Sequence, residues 1–524
     1  MYSCSYIFIL CSIIVLFKMY FLFTLVIVFF TIFFLKPCLT KYRKNKRISY
    51  YIDVLPGEKC YPIIGSSLSY LKIKREDLFE TVSKKRHAQY GPIVRNWYGS
   101  FPVVHIYKPE HAQVIFKSGT IINKGNVYRF LFPWLGQGLI SGSGSTWKAH
   151  RKIITPSFHF KILDNYGEIF AEKSEAFVKY LKKYDGQDYF EVTNVIAKIA
   201  LDIISETAMG VKLHLLESGN EGTEYANALS DFCEIACSRI KNLLLQNDLI
   251  FRFTKQGRKS QKALDIIHSF NKKVITQRKE YFQKNKNELL VEDELGRKQK
   301  VSFLDMLLVH QENNNFTDTE IEHEVNTFLF GGQDTTVATL TFAFVALGNY
   351  PDILKRVQEE LDHIFADDPF RKITPKDINE MEYLDRVVKE VLRFFCFVPF
   401  LGRYLEEDVE IDGVLIPKGV NVIIDLFDLH HDPDHYPEPY KFDPDRFLPE
   451  NSAERHPYAY APFSAGARNC LGQKFAIRNV KTLLSYILRK YNVKCQEHPE
   501  DLRYYADIVL RPQNGVHIKI ESRK

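Results

Sequence analysis

The feature that most constrains this chain is a short, glycine-punctuated loop with a single cysteine. The loop covers residues 462–472, reads PFSAGARNCLG and contains Cys470. Gly466 and Gly472 permit backbone conformations and close approaches that a side chain would block. An apolar run at three- and four-residue spacing starts at Phe475, which predicts that the loop opens into a helix. The loop therefore offers one sulfur from a rigid turn at the start of a helix.

The position of Cys470 favours a thiolate over a thiol. A sulfur at a helix N-terminus lies in a positive field, and nearby Arg468 adds positive charge. A single thiolate in a rigid, apolar-flanked loop suits one soft bond to a flat metal cofactor. The competing interpretation is that Cys470 is one of nine cysteines and only fills space in the core. The fixed offsets of Phe463, the two glycines and Arg468 argue against that interpretation.

These offsets form the pattern F-x-x-G-x-R-x-C-x-G, which resembles the haem-binding loop of the cytochrome P-450 monooxygenases. That family binds its haem iron through a cysteine thiolate, so the resemblance implies Cys470 as the axial iron ligand and haem b as the cofactor. It also implies a mainly α fold with small β-sheets. The same resemblance implies cofactor contacts at Phe463, Gly466, Arg468 and Gly472.

Length and composition agree with one large folded body. The chain has 524 residues, is 45% hydrophobic and contains 40 Phe and 29 Tyr, which suits deep apolar pockets as well as a core. No Pro/Ser/Gly-rich linker divides it after the N-terminus. We expect a membrane anchor at 1–35, a basic, Pro/Gly-rich connector at 36–66 and a haem-thiolate catalytic domain at 67–524.

The net charge of +6 is concentrated near the N-terminus. Residues 1–52 hold seven basic residues and no acid, which leaves the rest of the chain one charge negative. A body without basic excess argues against a nucleic-acid partner. Residues 19–35 carry no charge and as a helix would span about 26 Å of a thin bilayer. The basic cluster at 36–47 predicts that the catalytic domain faces the cytosol from the endoplasmic reticulum membrane.

A cleaved signal peptide is the alternative for this N-terminal segment. Against it, no basic residue precedes the first apolar piece at 6–17, and no small-x-small cleavage site follows the second. Whether residues 6–17 also enter the bilayer stays open.

The cysteine pattern suits free thiols in a reducing compartment, because no C-x-x-C occurs among the nine cysteines. Cys233 and Cys237 lie four apart on a predicted helix. A two-ligand metal site is one interpretation, and small apolar packing is the favoured one.

Two β-hairpins are predicted within the body. Ile93–Tyr98 and residues 103–106 flank Gly99-Ser100, and Val409–Ile411 and Val414–Ile416 flank Asp412-Gly413. No glycine fingerprint for a nicotinamide or flavin follows a strand, so electrons must come from another protein. The family resemblance implies an NADPH-cytochrome P-450 reductase as that partner, with cytochrome b5 as a further donor.

An aromatic stretch at 126–147 is expected either to wall an apolar cavity, to form an entry route on a membrane-facing surface or to join the core. Trp147 and Arg151 follow on one face of a predicted helix. Their indole N–H and guanidinium suit a carboxylate. The pair matches the family's W-x-x-x-R, which implies contact with a haem propionate.

A long helix is predicted from the capping box at Thr317 and Glu320 to Gly348. Its middle reads FGGQDTT, residues 330–336. Two adjacent glycines predict a local opening of the helix that makes room for a small molecule. Asp334 beside Thr335 predicts a proton relay, and a close helix crossing at the glycines is the alternative. The stretch resembles the family's oxygen-activation motif.

Glu390 and Arg393 are expected to pair on an apolar helix face, with Arg446 as a second partner. They match the family's E-x-x-R and its downstream arginine, which implies a structural network behind the Cys470 loop. The resemblance also implies Arg403 and Arg468 as further propionate contacts.

Two other charged stretches permit interpretations of their own. Residues 430–435, HHDPDH, contain side chains that can bind a metal ion, but the sequence of this stretch favours an irregular loop. Lys474, Arg478 and Lys481 form one stripe of the helix after Cys470. That stripe is either a solvated face or a surface that steers an acidic electron donor.

Longer stretches resemble the branch of the family that includes fatty-acid ω-hydroxylases. Many members of that branch carry a glutamate, esterified to haem, where this chain has Gly331. We therefore predict non-covalent haem, and the departure weakens an ω-hydroxylase assignment.

The combined prediction is a monooxygenase that inserts one atom of O2 into an apolar substrate from the bilayer: a fatty acid, another lipid or a xenobiotic. Asp334 and Thr335 would deliver protons. The alternatives are a haem-thiolate isomerase or dehydratase that needs no reductase, a non-catalytic haem-binding protein, and a membrane protein without haem.

Overall fold

The computed structural model describes residues 16–28, 31–32, 46–61, 64–71, 73–158, 160–217, 219–289 and 301–523. Helices dominate it and the sheets are small, as predicted. The α-helices are α1 Leu16–Val28, α2 Lys46–Ile52, α3 Ser67–Leu71, α4 Arg75–Glu80, α5 Arg86–Tyr90, α6 Pro109–Lys117, α7 Phe132–Leu135, α8 Gly144–Ile154, α9 Phe160–Leu181, α10 Thr193–Thr207, α11 Glu221–Lys241, α12 Asp248–Phe253, α13 Lys255–Leu289, α14 Phe303–Glu312, α15 Asp318–Asn349, α16 Pro351–Ile364, α17 Pro375–Glu380, α18 Glu382–Phe394, α19 Leu426–His430, α20 Pro449–Ser452 and α21 Gln473–Lys490. Short 3₁₀ or π turns lie at Thr81–Lys85, Asn126–Leu131, Thr155–Phe158, Lys182–Tyr184, Pro444–Phe447 and Gly466–Arg468.

The described strands are β1 Ile93–Tyr98, β2 Phe101–Ile106, β3 Phe190–Glu191, β4 Phe400–Tyr404, β5 Val409–Ile411, β6 Val414–Ile416, β7 Asn421–Asp425, β8 Tyr491–Cys495, β9 Tyr504–Tyr505, β10 Arg511–Pro512 and β11 His517–Ser522. The largest sheet has four of them in the order β1-β2-β7-β4. Strand β7 runs parallel to β2 and antiparallel to β4, so distant parts of the chain meet in this sheet. A three-stranded sheet, β3-β11-β8, and the ribbons β5-β6 and β9-β10 complete the β structure.

Both predicted hairpins are present. Strands β1 and β2 pair with Tyr98 opposite Phe101, and β5 and β6 pair with Ile411 opposite Val414. Asp412 and Gly413 both have positive φ, +50° and +73°, which is the backbone that an Asp-Gly turn favours.

Helix α15 runs through the core. It starts at the predicted capping box, since Thr317 and Glu320 exchange side-chain and backbone hydrogen bonds. Its backbone is helical throughout Asp318–Asn349. The prediction that the helix opens locally at the glycine pair is therefore wrong. A Cβ on Gly332 would lie 2.4 Å from Cδ1 of Ile204 on α10, which shows that this glycine permits a close helix crossing. That crossing was the alternative interpretation.

The predicted membrane segment, 19–35, is described only at residues 19–28 and 31–32, and residues 19–28 belong to the apolar helix α1. Within the described residues, no single helix is long and apolar enough to span a membrane. Helices α15 and α16, which meet at a bend of 108°, are long and apolar enough only when taken together. The basic cluster is described only at its end, where Arg47 pairs with Asp408 at 2.6 Å. The connector lies against β1 through bridges from Gly57 and Gly65.

Candidate active site

The Cys470 loop is fixed by backbone contacts. The N–H of Cys470 donates to the carbonyl of Phe463 at 2.8 Å. Gly466 has a φ of +69°, and a Cβ there would lie 1.9 Å from the carbonyl oxygen of Phe116, so a side chain cannot be accommodated. Gly472 has an ordinary φ of −84°, and a Cβ there would meet only the Cys470 sulfur at 4.0 Å. The predicted steric need for glycine therefore exists at Gly466 and not at Gly472.

The electrostatics of Cys470 differ from the prediction. Burial raises the pKa of its thiol, while the backbone N–H of Gly472 and the charge of Arg151 lower it less strongly. Arg468 points away, because its guanidinium donates to three backbone carbonyls. The sulfur also borders accessible space although protein surrounds it. A sulfur that is accessible yet surrounded by protein lies in a recess, where a metal ion would deprotonate it on binding.

Three cations lie together near this loop, and no described Asp or Glu forms an ion pair with any of them. Burial, with Arg403 and Arg468 nearby, lowers the pKa of Lys124 well below its usual range. Burial and Arg403 lower the pKa of Arg468 to about 9. Arg403 is 2% exposed and donates to the carbonyl of Gly402 at 3.0 Å. Buried like charges are costly without an anion, so this cation cluster suits a ligand that carries carboxylates.

Trp147 and Arg151 lie on α8 but have different partners. The indole N–H of Trp147 donates to the carbonyl of Leu139 at 3.2 Å, and the Arg468 guanidinium stacks on its ring at 3.8 Å. Arg151 donates to Oδ1 of Asn469 at 2.7 Å. Nearby acceptors thus engage both donors, and they do not converge on one point. Trp147 orients Arg468, and Arg151 braces the residue before the cysteine.

The FGGQDTT stretch places an alcohol and an acid side by side in the middle of α15. The hydroxyl of Thr335 donates to the carbonyl of Gly331 at 2.7 Å, within the helix. A Cβ on Gly331 would meet nothing within 4 Å, so space is open at that position. Asp334 is buried and accepts from Arg511 at 2.5 Å. Burial raises the pKa of Asp334, and the charge of Arg511 opposes the rise.

Glu390 and Arg393 are buried together, and Arg446 lies at their edge. Arg393 donates to both oxygens of Glu390, each at 2.7 Å, and Nε of Arg446 lies 3.7 Å from Oε1 of Glu390. Arg393 also donates to the carbonyl of His430 at 3.0 Å. The ring of His430 accepts from the N–H of Ala461 at 3.0 Å, immediately before the Cys470 loop. This paired network therefore connects α18 to that loop.

A cavity that is partly open to solvent lies next to the cation cluster. Tyr128 belongs to its wall and its hydroxyl lies 3.4 Å from Nζ of Lys124. The predicted aromatic stretch divides: Phe130 and Leu131 line the cavity, Trp134 is buried against Phe330, and other members pack into the core or reach the surface. The wall is mostly apolar and suits an apolar ligand.

One member of the basic stripe after Cys470 is buried. Lys481 is buried and lies 3.5 Å from Asp385, so the basic stripe after Cys470 is not a continuous solvated face. Among the described residues, the one group whose side chains could converge on a metal ion is His87, Asp425 and Asp428, outside the HHDPDH stretch. The six described cysteines are free thiols. Cys233 and Cys237 lie on α11 and do not belong to that group.

Comparison with known proteins decides the family. The family model described as cytochrome P450 matches residues 55–520. The chain belongs to the cytochrome P450 family. It is 37% identical to cytochrome P450 4c3 of Drosophila melanogaster, over 92% of this chain and 91% of that protein. It is 38% identical to cytochrome P450 4V2 of Mus musculus, over 89% of each, and 37% identical to cytochrome P450 4c21 of Blattella germanica, over 92% of this chain and 96% of that protein.

Membership makes the chain a cytochrome P450 monooxygenase, an oxidoreductase of the type whose cofactor is haem b. The residues fit that cofactor. In this family, haem needs one thiolate as a ligand for its iron, and cations as partners for its two propionate carboxylates. The recess offers the first partner at Cys470, and the cation cluster lacks the anions that propionates would supply.

Two residues of this P450 site were missed by sequence reasoning. Lys124 stands alone in a polar loop, so no periodicity marked it. Arg511 lies 177 residues from its partner Asp334. The only signal for either would have been a buried cation or acid in need of a counterion, which becomes visible once the fold is known.

Proposed function

We propose that this P450 inserts one oxygen atom of O2 into an apolar substrate, such as a fatty acid, another lipid or a xenobiotic. The electrons come from NADPH through a separate NADPH-cytochrome P-450 reductase, with cytochrome b5 as a further donor. The observation that carries the proposal is the occurrence, near one loop, of a thiol in a recess, an unneutralised cation cluster and an adjoining apolar cavity.

In this proposal, Cys470 would hold the haem iron by its sulfur, from a loop that Phe463 and Gly466 hold in place. Lys124, Arg403 and Arg468 would neutralise the propionates, and Trp147 orients Arg468 by stacking. Arg151 braces Asn469 and favours the thiolate by its charge. Haem, when bound, would supply redox chemistry. The Glu390 network keeps the loop in register with α18.

Asp334 and Thr335 are proposed to carry protons. Thr335 donates its own proton to the carbonyl of Gly331, which leaves its oxygen lone pairs available to accept another. Asp334 is buried, and its raised pKa brings the carboxyl closer to neutral pH, as a proton donor requires.

Haem is proposed to be non-covalent. Gly331 has no side chain that could form an ester, and the space around it is open. Acid–organic extraction of the denatured protein should release all the haem. Haem that stays with the polypeptide would contradict this part of the proposal.

The chain is proposed to be anchored in the endoplasmic reticulum membrane with residues 67–524 on the cytosolic side. Support comes from α1, whose apolar side chains are exposed throughout, and from the basic cluster that follows it. An apolar substrate would then partition from the bilayer into the cavity. Residues 36–66 would act as the connector.

The direct test is product formation by the full chain in membranes with reductase, NADPH and a panel of lipids and xenobiotics. Mass spectrometry should find a product with one added oxygen atom that depends on NADPH and on O2. Product without NADPH would instead indicate an isomerase or dehydratase. NADPH consumption unchanged by every substrate, with no product, would indicate a non-catalytic haem protein.

The proton relay has a matched test. Thr335→Ala should keep haem and raise the peroxide released per NADPH consumed. Thr339→Ala is the control, because its hydroxyl makes the same bond one turn later, to the carbonyl of Thr335 at 2.7 Å. Equal coupling in the two variants would remove Thr335 from the relay.

A further inference from the structure

The carboxylate of Asp334 is held by a residue from the C-terminal ribbon. Arg511 on β10 donates from Nη2 to Oδ1 of Asp334 at 2.5 Å. The side chain of Asp334 is 6% exposed, and its other oxygen, Oδ2, is buried without a hydrogen-bond partner. A buried carboxylate oxygen without a partner is costly, and protonation removes much of that cost. The two oxygens of this carboxylate therefore have different roles.

Arg511 is one member of a row of alternating charges. Asp507, in the same ribbon, is close enough for its charge to raise the pKa of Arg511. Asp507 pairs with Arg75 at 2.9 Å, and Arg75 pairs with Glu234 at 3.2 Å. Arg75 and Glu234 are about one-third exposed. The row thus extends from Asp334 toward the protein surface; Arg511 and Asp507 interact through their charges, and the other neighbours form ion pairs.

The other groups that face Asp334 carry no charge. Tyr225 and Cys233, both on α11, are close enough to feel the Asp334 carboxylate, and burial raises the pKa of each. Both side chains are therefore neutral at physiological pH. Among the described residues, Arg511 is the one cation whose charge and hydrogen bond act directly on Asp334.

We propose that Arg511 is a positioning residue, which clamps Oδ1 of Asp334 so that Oδ2 alone takes up and releases a proton beside Thr335. Water supplies the proton that Oδ2 accepts, and its release restores the ionised carboxylate in the Arg511 pair, so charge and protons balance. This inference rests on the proposed function, which gives proton delivery to Asp334 and Thr335. Removal of the positive charge leaves a buried carboxylate without a cation, so the neutral acid persists to higher pH.

The test compares Arg511→Gln, which keeps a hydrogen-bond donor, with Arg511→Lys, which keeps the charge. Arg503→Gln is the control, because Arg503 lies in the same ribbon region and its ion pair with Asp77 is long, 3.8 Å, and exposed. The full chain is assayed in membranes with reductase for peroxide released per NADPH across a pH range. We expect Arg511→Gln to release several-fold more peroxide and to move the midpoint of the pH profile up by about 1–3 units. Arg511→Lys should restore most of the profile, and a profile for Arg511→Gln that matches Arg503→Gln would overturn the proposal.

A second readout does not depend on turnover. Infrared spectra of the purified protein should contain a band for the protonated Asp334 carboxyl, assigned by its loss in Asp334→Asn. In Arg511→Gln this band should persist to higher pH, and an unshifted band would overturn the proposal. If Arg511→Gln does not fold, the double variant Asp334→Asn/Arg511→Gln, which removes both members of the ion pair, is compared with Asp334→Asn alone, and the two should have the same pH profile. A change that remains in that background would place the action of Arg511 elsewhere.

The two proposals fail in different ways. Absence of NADPH-dependent oxygenation by the wild type would refute the proposed function, and the infrared comparison would still test Arg511 against Asp334. Normal coupling in the wild type, with unshifted spectra and profile in Arg511→Gln, would refute this inference alone.

Discussion

Two groups of buried charge lie behind and beside the Cys470 loop, and they differ in where their counterions come from. In the paired network, Arg393 contacts both oxygens of Glu390, and both side chains are fully buried. In the cation cluster, Lys124, Arg403 and Arg468 have no acidic partner among the described residues. The charges of the first group neutralise each other within the folded chain, whereas the charges of the second group need a bound anion for neutralisation. Buried charge thus marks structure where it is paired and a binding site where it is not.

The largest effect that separates the two groups should come from Glu390→Gln. This change leaves Arg393 buried without a counterion, which costs about 3–5 kcal/mol of unfolding free energy. Glu382→Gln, on the exposed face at the start of α18, is the control and should change stability by less than about 0.5 kcal/mol. Thermal unfolding and haem content measure both. Equal stability of the two variants would mean that Glu390 is not essential to the network.

The next largest effect should come from Arg403→Gln. This change should weaken haem binding but should not destabilise the haem-free protein. Loss of one of three crowded cations relieves repulsion, so the haem-free protein should be as stable as the wild type or more stable. Haem should bind about 10- to 100-fold more weakly, because one charged hydrogen bond to a carboxylate is lost. Haem titration and unfolding of both forms test this, with Arg47→Gln as a surface control. Equal destabilisation of both forms would show that the cluster is structural.

The unfolding free energy should also decrease at acidic pH, because His430 lies beside the paired network. Burial and the charge of Arg393 lower the pKa of His430 to about 3, from about 6.5 in the unfolded chain. Between these values the unfolded state binds a proton at His430 that the folded state does not, so stability is highest above about pH 6.5 and falls toward pH 3. His430→Gln keeps an acceptor for the N–H of Ala461 and removes the titration. Its unfolding free energy should fall less with acid than that of the wild type, and an identical pH dependence would contradict this reasoning.

The smallest effect should come from Arg446→Gln. Its Nε lies 3.7 Å from Glu390, at the edge of the network, while Arg393 already satisfies both carboxylate oxygens. We expect a loss of about 1 kcal/mol of unfolding free energy in denaturant titrations. A loss as large as that for Glu390→Gln would make Arg446 an equal partner and would revise the boundary of the network.

Local chemistry explains which elements could be predicted from the sequence. The Asp412-Gly413 turn and the Thr317 capping box depend on residues within four positions of each other, so their chemistry is visible in the printed sequence. Glu390 and Arg393 pair across one helical turn for the same reason. Each of these predictions needed no knowledge of distant neighbours.

Long-range packing explains what could not be predicted. Gly331 and Gly332 are identical in the sequence, but one faces open space and the other faces Ile204 on a different helix. Arg468 was expected to act on the Cys470 sulfur, but distant carbonyls and the ring of Trp147 hold it elsewhere. Spacing along the chain contains no information about such partners.

The central claim, that Cys470 is the iron ligand in the recess, is tested most directly by the absorption spectrum of the reduced protein with carbon monoxide. The wild type and Cys60→Ser, which alters an exposed free thiol, should both show the strongly red-shifted band of an axial thiolate. Cys470→Ser should lack that band even where it retains haem. The same band in Cys470→Ser, or its absence from well-folded, haem-loaded wild type, would contradict the account.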